Sequence, residues 1–515
     1  MNETASRFEN WVMGLKKPLM VLLAIGLAIR FVLAPTLTFN VDMGYWTEAV
    51  GVFRNGFGLY GTAGYYYTPI WGYMMGVVSS VSQIIGLTDY GVYVPGLEHV
   101  VNETFKVSAF VTTIGFNTLV KIPLIIIDVA VAVLLYRFVM KHTGDEKKAV
   151  LAFALWMFSP LVIVQSSIHG MFDNTSAMLI LLTVMFLFDR KYLIAGFAFG
   201  LAAFTKYFPL FFIFFLVAYV LKREGVDANG AKKLLISIAG TFAAILLLYF
   251  PNITRGDFWQ SFYFLAYRVG ISRETLASIG MTETVVILGG LAAVILLFVF
   301  LIARFGPRFM KRMCSGDVKR RKRKVAMGLF VIALALIIPL AIIWIFEYYN
   351  DVEALGMRGV VLITIFAICL EIYLAFRMLM EKELDQRKTL TYLFLTALSV
   401  IMWSCAPSYY VVILPFIILY CTMVDRRYIL PYFFICFALT LQELPTFLTS
   451  PTSLIMALCG NIDVMIPVYD FLALPVAFGQ PGYMLLSFVT IIGYGSILYI
   501  SLKWYHEYYL RKVKQ

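Results

Sequence analysis

Apolar runs too long and too continuous for a soluble fold recur along the chain, and they limit what it can become. The sequence predicts fourteen membrane segments, near 18–35, 118–140, 149–165, 175–188, 192–204, 207–221, 234–250, 285–304, 326–346, 358–378, 390–404, 410–424, 429–447 and 483–502. About 20 apolar residues suffice to cross a bilayer as a helix. Inside lipid the backbone must satisfy its own hydrogen bonds, so such runs are helices. The runs do not alternate, which excludes a membrane barrel. The residues are 61% hydrophobic and only 14% charged, with mean hydropathy +0.85. The expected fold is therefore an all-α polytopic membrane protein with about 14 transmembrane helices. No small-residue cleavage site follows the first run, so it reads as a retained helix and not a signal peptide.

The net charge of +12 invites a nucleic-acid reading, but the placement of the charges argues for topology. The densest cluster, KRMCSGDVKRRKRK at 311–324, lies between two apolar runs. With both termini cytoplasmic, inside loops hold 33 of the 42 Lys and Arg residues. That asymmetry is the positive-inside pattern. The whole chain, 1–515, reads as one transmembrane domain. Its first outer loop is 36–117, a second outer segment is 251–284, a third is 448–482, and 305–325 is a basic cytoplasmic loop. Within the first loop, YTPIWGYMMGVVSSVSQIIGL (67–87) is read as a helix lying at the interface, because a crossing there would invert every later loop. FWQSFYFLAYR, in the second segment, reads as an aromatic interfacial helix. Cys369, Cys421 and Cys436 fall in apolar runs. Cys405 and Cys459 fall on the outer side, which leaves a disulfide between them open. Four Asn-x-Thr/Ser sequons begin at Asn2, Asn102, Asn174 and Asn252.

Nine cations are not needed by the topology. A cation at membrane depth is costly unless paired or facing a polar cavity. Arg30 lies in the first helix, Lys121 begins the second, Lys206 interrupts AFTKYFPLFF, and Arg268 ends the aromatic stretch. Each could snorkel to headgroups. Together, at the outer leaflet, they suit an anionic headgroup such as a lipid phosphate. Asp42 stands just after the first helix, in FNVDMGYWTEAV, with Tyr45, Trp46 and Glu48 behind it. Tyr and Trp are ordinary interface anchors there, whereas the carboxylate is not. Beside bound phosphate it could take a proton from an attacking hydroxyl. GLYGTAGYYYTPIWGY (58–73), with Tyr67, offers aromatic faces for sugar rings or for an interface belt. SSIHGMFDNTS (166–176) brings His169, Asp173 and Asn174 together. One His and one Asp at i, i+4 are too few for a metal, and Asp173 or Asn174 could simply cap the helix beginning at Thr175.

The layout resembles the GT-C superfamily of polytopic glycosyltransferases over roughly residues 18–420. The similar pieces are DMGYWTEA after the first helix, GLYGTAGYYYTPIWGY, KIPLIIIDVAVAVLLY with Lys121 and Asp128, FSPLVIVQSSIHGMFDN, LAAFTKYFPLFFIF, and CAPSYYVVILPFIIL with Tyr409. The resemblance is nearest to dolichyl-phosphate-glucose glucosyltransferases and polyprenyl-phosphate-mannose mannosyltransferases. It implies an inverting hexosyltransferase moving mannose or glucose from a polyprenyl-phosphate donor to a lipid-linked glycan, glycolipid or protein. Asp42 would be the general base, Arg30, Lys121, Lys206 and Arg268 would meet the donor phosphate, and Tyr45, Trp46, Glu48, Tyr67, His169, Asp173 and Tyr409 would line the substrates. The site would face the extracytoplasmic or endoplasmic-reticulum lumenal side. Asp42 is not part of an Asp-x-Asp pair, so no metal or other cofactor is expected. The competing reading is a lipid or solute transporter, which would use the same charges as a path. Against it, no internal repeat is found. A membrane scaffold without catalysis is the third reading.

Overall fold

The computed structural model describes residues 17–54, 58–60, 65, 67–93, 110–266, 271–314, 367–403 and 407–449. In chain order the principal elements are α1 (Lys17–Thr36), α2 (Asn40–Arg54), α3 (Pro69–Ile84), β1 (Gly91–Tyr93), β2 (Phe110–Thr112), α4 (Ile114–Thr143), α5 (Glu146–Met157), α6 (Pro160–His169), α7 (Asp173–Phe188), α8 (Tyr192–Ala203), α9 (Ile213–Glu224), α10 (Ala228–Arg255), α11 (Met281–Cys314), α12 (Gln386–Trp403), α13 (Leu414–Met423) and α14 (Ile429–Thr449). Helices dominate, as the apolar runs require. Among the described residues the departure from all-α is the antiparallel pair β1–β2, with Val92 opposite Val111.

Among the described residues, four helices are long and apolar enough to cross a membrane: α1, α4, α10 and α11. The bent pair α5–α6 makes a fifth if counted as one span. The sequence expects fourteen. The segments 175–188, 192–204 and 410–424 are helices too short to pass the same test, 207–221 is a 3-10 turn, Phe208–Phe212, followed by the 12-residue α9, the segments 390–404 and 429–447 fall on α12 and α14, which are not among those spans, and 326–346, 483–502 and the first part of 358–378 lie outside the described residues. The expected helix at 149–165 is broken. Pro160 has no N–H to continue the ladder, and the chain bends by 45° between Met157 and Pro160. Most of α11 is exposed apolar surface, from Val285 to Phe309, as suits a lipid-facing span.

Contacts divide the chain into two compact units. Unit 1 comprises Met1–Arg54, Met75–Thr175 and Cys421–Gln515. Here α4 begins on a Thr113 cap and ends on Gly144 in the left-handed region, with Lys141 and His142 in its last turn. These are ordinary stop signals for a helix. α14 packs on α5 and α6: the Tyr432 hydroxyl donates to the Leu155 carbonyl at 2.8 Å.

Unit 2 comprises Asn55–Met74 and Ser176–Tyr420. Its closest helix pair is α8–α10. Gly196 and Gly200 on α8, and Gly240 on α10, leave no room for a Cβ against the facing backbone. Small residues let membrane helices approach in this way. The expected interfacial helix FWQSFYFLAYR is instead a 3-10 turn, Phe258–Phe262, and a four-residue helix, Tyr263–Ala266. Phe258 and Phe262 pack on Tyr249 with ring centroids 5.2 and 5.9 Å away, so their rings serve the interior of the unit.

Candidate functional site

In unit 1 the polar chemistry gathers where α1, α4, α6 and α7 meet. Arg30 and Asp128 sit mid-helix on α1 and α4, both fully buried, with Nε 2.9 Å from Oδ2. Ser166 donates to the same carboxylate oxygen at 2.6 Å, and the Asn174 amide donates to Oδ1 at 2.8 Å. The second guanidinium nitrogen, Nη1, donates to the Met157 carbonyl at 2.8 Å. That carbonyl is released by the bend after α5, so the ion pair also braces the bend. Buried charges need this degree of hydrogen bonding to be tolerated.

Lys121, two turns into α4 and fully buried, donates to the carbonyls of Ala34 and Leu37 at 2.9 and 2.6 Å. It thereby ties the end of α1 to α4 and fixes the turn that leads into α2. Residues 164–169, VQSSIH, are wound as a π-helix closed by Gly170 at φ 73. π-turns in helices frequently mark functional positions. Trp46 on α2 donates its indole N–H to the Gly170 carbonyl at 3.1 Å, and its ring meets Phe172 edge-on. His169 stacks on Phe39, just before α2, with centroids 4.9 Å apart. Asp42 lies in the first turn of α2 and is partly exposed, as is Tyr45, while Glu48 is exposed. Asp173 is fully buried in the first turn of α7.

The expected cap has a different job. The helix starts at Asp173, and the Asn174 side chain turns to α4, where it binds the Leu124 carbonyl and Asp128. Arg30 and Lys121, expected to meet a phosphate, have a carboxylate and two carbonyls as their neighbours. Asp128, Ser166 and Asn174 were missed as site residues. An acid in the middle of an apolar helix was the available signal for Asp128.

In unit 2 Lys206 follows α8 and is buried with its ammonium 5.7 Å from the Tyr67 ring centroid and 5.0 Å from that of Tyr409. Tyr409 in turn packs on Phe208 at 4.1 Å. The Thr68 hydroxyl donates to the Thr205 carbonyl, which holds the 67–68 stretch beside Lys206. Cation–π contact suits a desolvated lysine. So Lys206, Tyr67 and Tyr409 do come together. At the end of α10, Tyr73 donates to Asn252 at 2.7 Å and Asn252 to Asp257 at 3.0 Å. Burial, then the nearby Asp257, pushes the Tyr73 phenol up to about 12. Burial raises the Asp257 carboxyl above its ordinary value, opposed by Asn252 and Arg255. Arg268 lies outside the described residues, as do Cys405 and Cys459. Among the described residues no group of three or more His, Cys, Asp or Glu could hold a metal ion.

The family model of the GPI transamidase subunit PIG-U matches residues 43–281. That is less than half of the chain. No curated protein matches it. The PIG-U match takes in Trp46, Lys121, Asp128, His169, Asp173 and Lys206, while Arg30, Asp42 and Tyr409 lie outside it. It overturns the expected identity. The matched family is that of a transamidase subunit and differs from the GT-C glycosyltransferases, so the assignments of hexosyltransferase, polyprenyl-phosphate sugar donor and glycan acceptor are withdrawn, and the transporter alternative with them. What stands is the coarser reading of a helical, multi-pass membrane protein.

Proposed function

We propose that the chain is a membrane-embedded subunit of a GPI transamidase, contributing structure and substrate positioning within a complex that attaches proteins to GPI. The observation that carries this is the PIG-U match over residues 43–281. The use made of the described polar groups supports a positioning role. Asp128 is saturated by Arg30, Ser166 and Asn174, and Lys121 holds the α1–α2 turn. These groups fix helices to one another, and a rigid shell is what positioning another subunit or a lipid requires. In this reading both termini are cytoplasmic, because the basic loops then fall on one side. Asp42, His169 and Asp173 then belong to the opposite, lumenal or extracytoplasmic side.

The test is deletion of the chain in its own cells. Anchored proteins should disappear from the surface while complete GPI lipid accumulates. The tagged chain should also co-purify with transamidase activity. Accumulation of a truncated GPI glycan would instead locate the defect in sugar addition and overturn the proposal.

A further inference from the structure

Glu371 is a buried acid in the apolar run 358–378, of which residues 367–379 are described and helical. Among the described residues no ion pair includes it. The cations nearby in the chain work elsewhere: Lys388 pairs with Glu381 at 3.3 Å, and Arg377 is engaged with Tyr392. Asp128 shows what a charged carboxylate receives in this protein, namely an arginine and two further donors. Glu371 instead meets Ser399 of α12, and its second oxygen, Oε2, is buried with no hydrogen-bond partner among the described residues. An ionised oxygen left in that state is costly, and a carboxyl so placed takes up a proton.

The Ser399 hydroxyl fixes the direction of that contact. Its Oγ stands 2.7 Å from the Thr396 carbonyl, one turn back on α12, and 2.9 Å from Glu371 Oε1. A hydroxyl carries one hydrogen to donate. The carbonyl can only accept, and bonding back to the preceding turn is a common use of a serine hydroxyl inside a helix. With its hydrogen on Thr396, Ser399 turns a lone pair to Glu371. Two oxygens at hydrogen-bond distance need a hydrogen between them, and the acid is the group left to supply it.

We infer that Glu371 is a proton-binding site within the membrane, held as the neutral acid and donating its Oε1–H to Ser399. The proton does here what Arg30 does for Asp128: it removes the cost of the buried charge. It also makes the link between helix 367–379 and α12, since a carboxylate in this place would face a serine lone pair with no hydrogen between them. Oε2 is then the carbonyl oxygen of an uncharged group, the form that burial penalises least. The inference lies within unit 2 and rests on no part of the transamidase proposal.

Full-length protein in lipid at neutral pH is compared with its variants by infrared difference spectroscopy. Wild type minus Glu371→Gln should show the C=O stretch of a carboxylic acid, shifted in D2O, and no carboxylate band. The glutamine keeps an N–H for Ser399, so this variant should fold. Ser399→Ala should keep the acid and move its band to higher frequency, because the hydrogen bond is lost. Glu383→Gln, at an exposed site, should remove carboxylate bands alone. Carboxylate bands lost in Glu371→Gln, with no acid band, would overturn the inference. An acid band unmoved by Ser399→Ala would overturn the bond to Ser399. If Glu371→Gln does not fold, Ser399→Ala decides: a displaced acid band supports the site, and a difference spectrum flat in the carboxylic-acid region sinks it.

Discussion

Arg30 and Asp128 are 98 residues apart in the chain and 2.9 Å apart in the interior of unit 1, with neither side chain reaching solvent. Breaking a buried pair by removing one partner costs about 3–5 kcal/mol, because the other charge is left without compensation. Asp128→Ala should therefore give little folded protein, or a sharply lowered unfolding temperature in detergent. The double variant Arg30→Met, Asp128→Leu removes both charges and should recover much of the loss. A Tm for Asp128→Ala within a degree of wild type would mean that the pair carries no stability.

Gly170 turns the chain between α6 and α7 at φ 73, where a side chain is strained. A Cβ there would also stand 2.7 Å from the Met43 sulfur. Gly170→Ala should cost about 1–2 kcal/mol from backbone strain, with more from displacing Met43. The measurement is thermal unfolding, with Trp46 fluorescence as a local readout because its indole bonds the Gly170 carbonyl. An unchanged Trp46 signal would show that Met43 gives way without disturbing α2.

The α8–α10 contact gives a prediction confined to unit 2. Any Cβ at Gly196 would overlap the Ser237 carbonyl, and Thr241 donates its hydroxyl to the Gly196 carbonyl at 3.0 Å. Gly196→Leu should push the helices apart and abolish that hydrogen bond, with a loss of several kcal/mol from overpacking. Gly51→Ala is the control, since nothing lies within 4 Å of the position its Cβ would take. Equal expression and Tm for the two variants would refute close packing.

The four long spans among the described residues, α1, α4, α10 and α11, were legible because twenty apolar residues in a row have few alternatives; the full count of fourteen was not. The bend at Pro160 and the glycines of α8 were visible as letters, but what they face was not, since helix pairing is set by contacts far apart in the chain. Arg30 shows the boundary well. A cation at that depth needs a partner, and the sequence expectation gives Arg30 a lipid phosphate, whereas the fold gives it Asp128. Nothing local joins two residues on different helices. Lys206 was placed among aromatics only by the fold, because Tyr67 and Tyr409 approach it from distant segments. The 258–268 stretch misled for another reason: its aromatic spacing fits an interfacial helix, but Phe258 and Phe262 find better partners in Tyr249 and each other.

Asp257 gives a pH dependence with a definite sign. Burial raises its carboxyl above the unfolded value, so the folded state holds the proton more tightly. Stability from this group is complete below the unfolded value near 3.9 and is lost as pH rises through the folded value. Asp257→Asn keeps an acceptor for the Asn252 amide and should flatten that part of the curve. The check is Tm between about pH 3 and 6 for both proteins, since the ordinary carboxylate range lies there. Parallel curves would show that Asp257 titrates as if it were in water.

Two of the sequons should stay bare for a structural reason. The Asn174 amide nitrogen donates to the Leu124 carbonyl and to Asp128, and the residue is buried. Asn252 is buried as well, with its amide nitrogen on Asp257 and its oxygen accepting from Tyr73. A glycan would have to be attached at the nitrogen already used, inside a packed unit. Glycans need an exposed acceptor. Mass spectrometry of protein made in glycosylating cells should find both peptides unmodified. Ser176→Ala, which removes the first sequon and keeps Asn174, should not alter gel mobility. Asn174→Leu, which leaves one Asp128 oxygen without its donor, should lower stability by about 1–3 kcal/mol. A mobility shift with Ser176→Ala would place Asn174 outside the network described here, and with it the fourth helix that the Arg30–Asp128 pair holds.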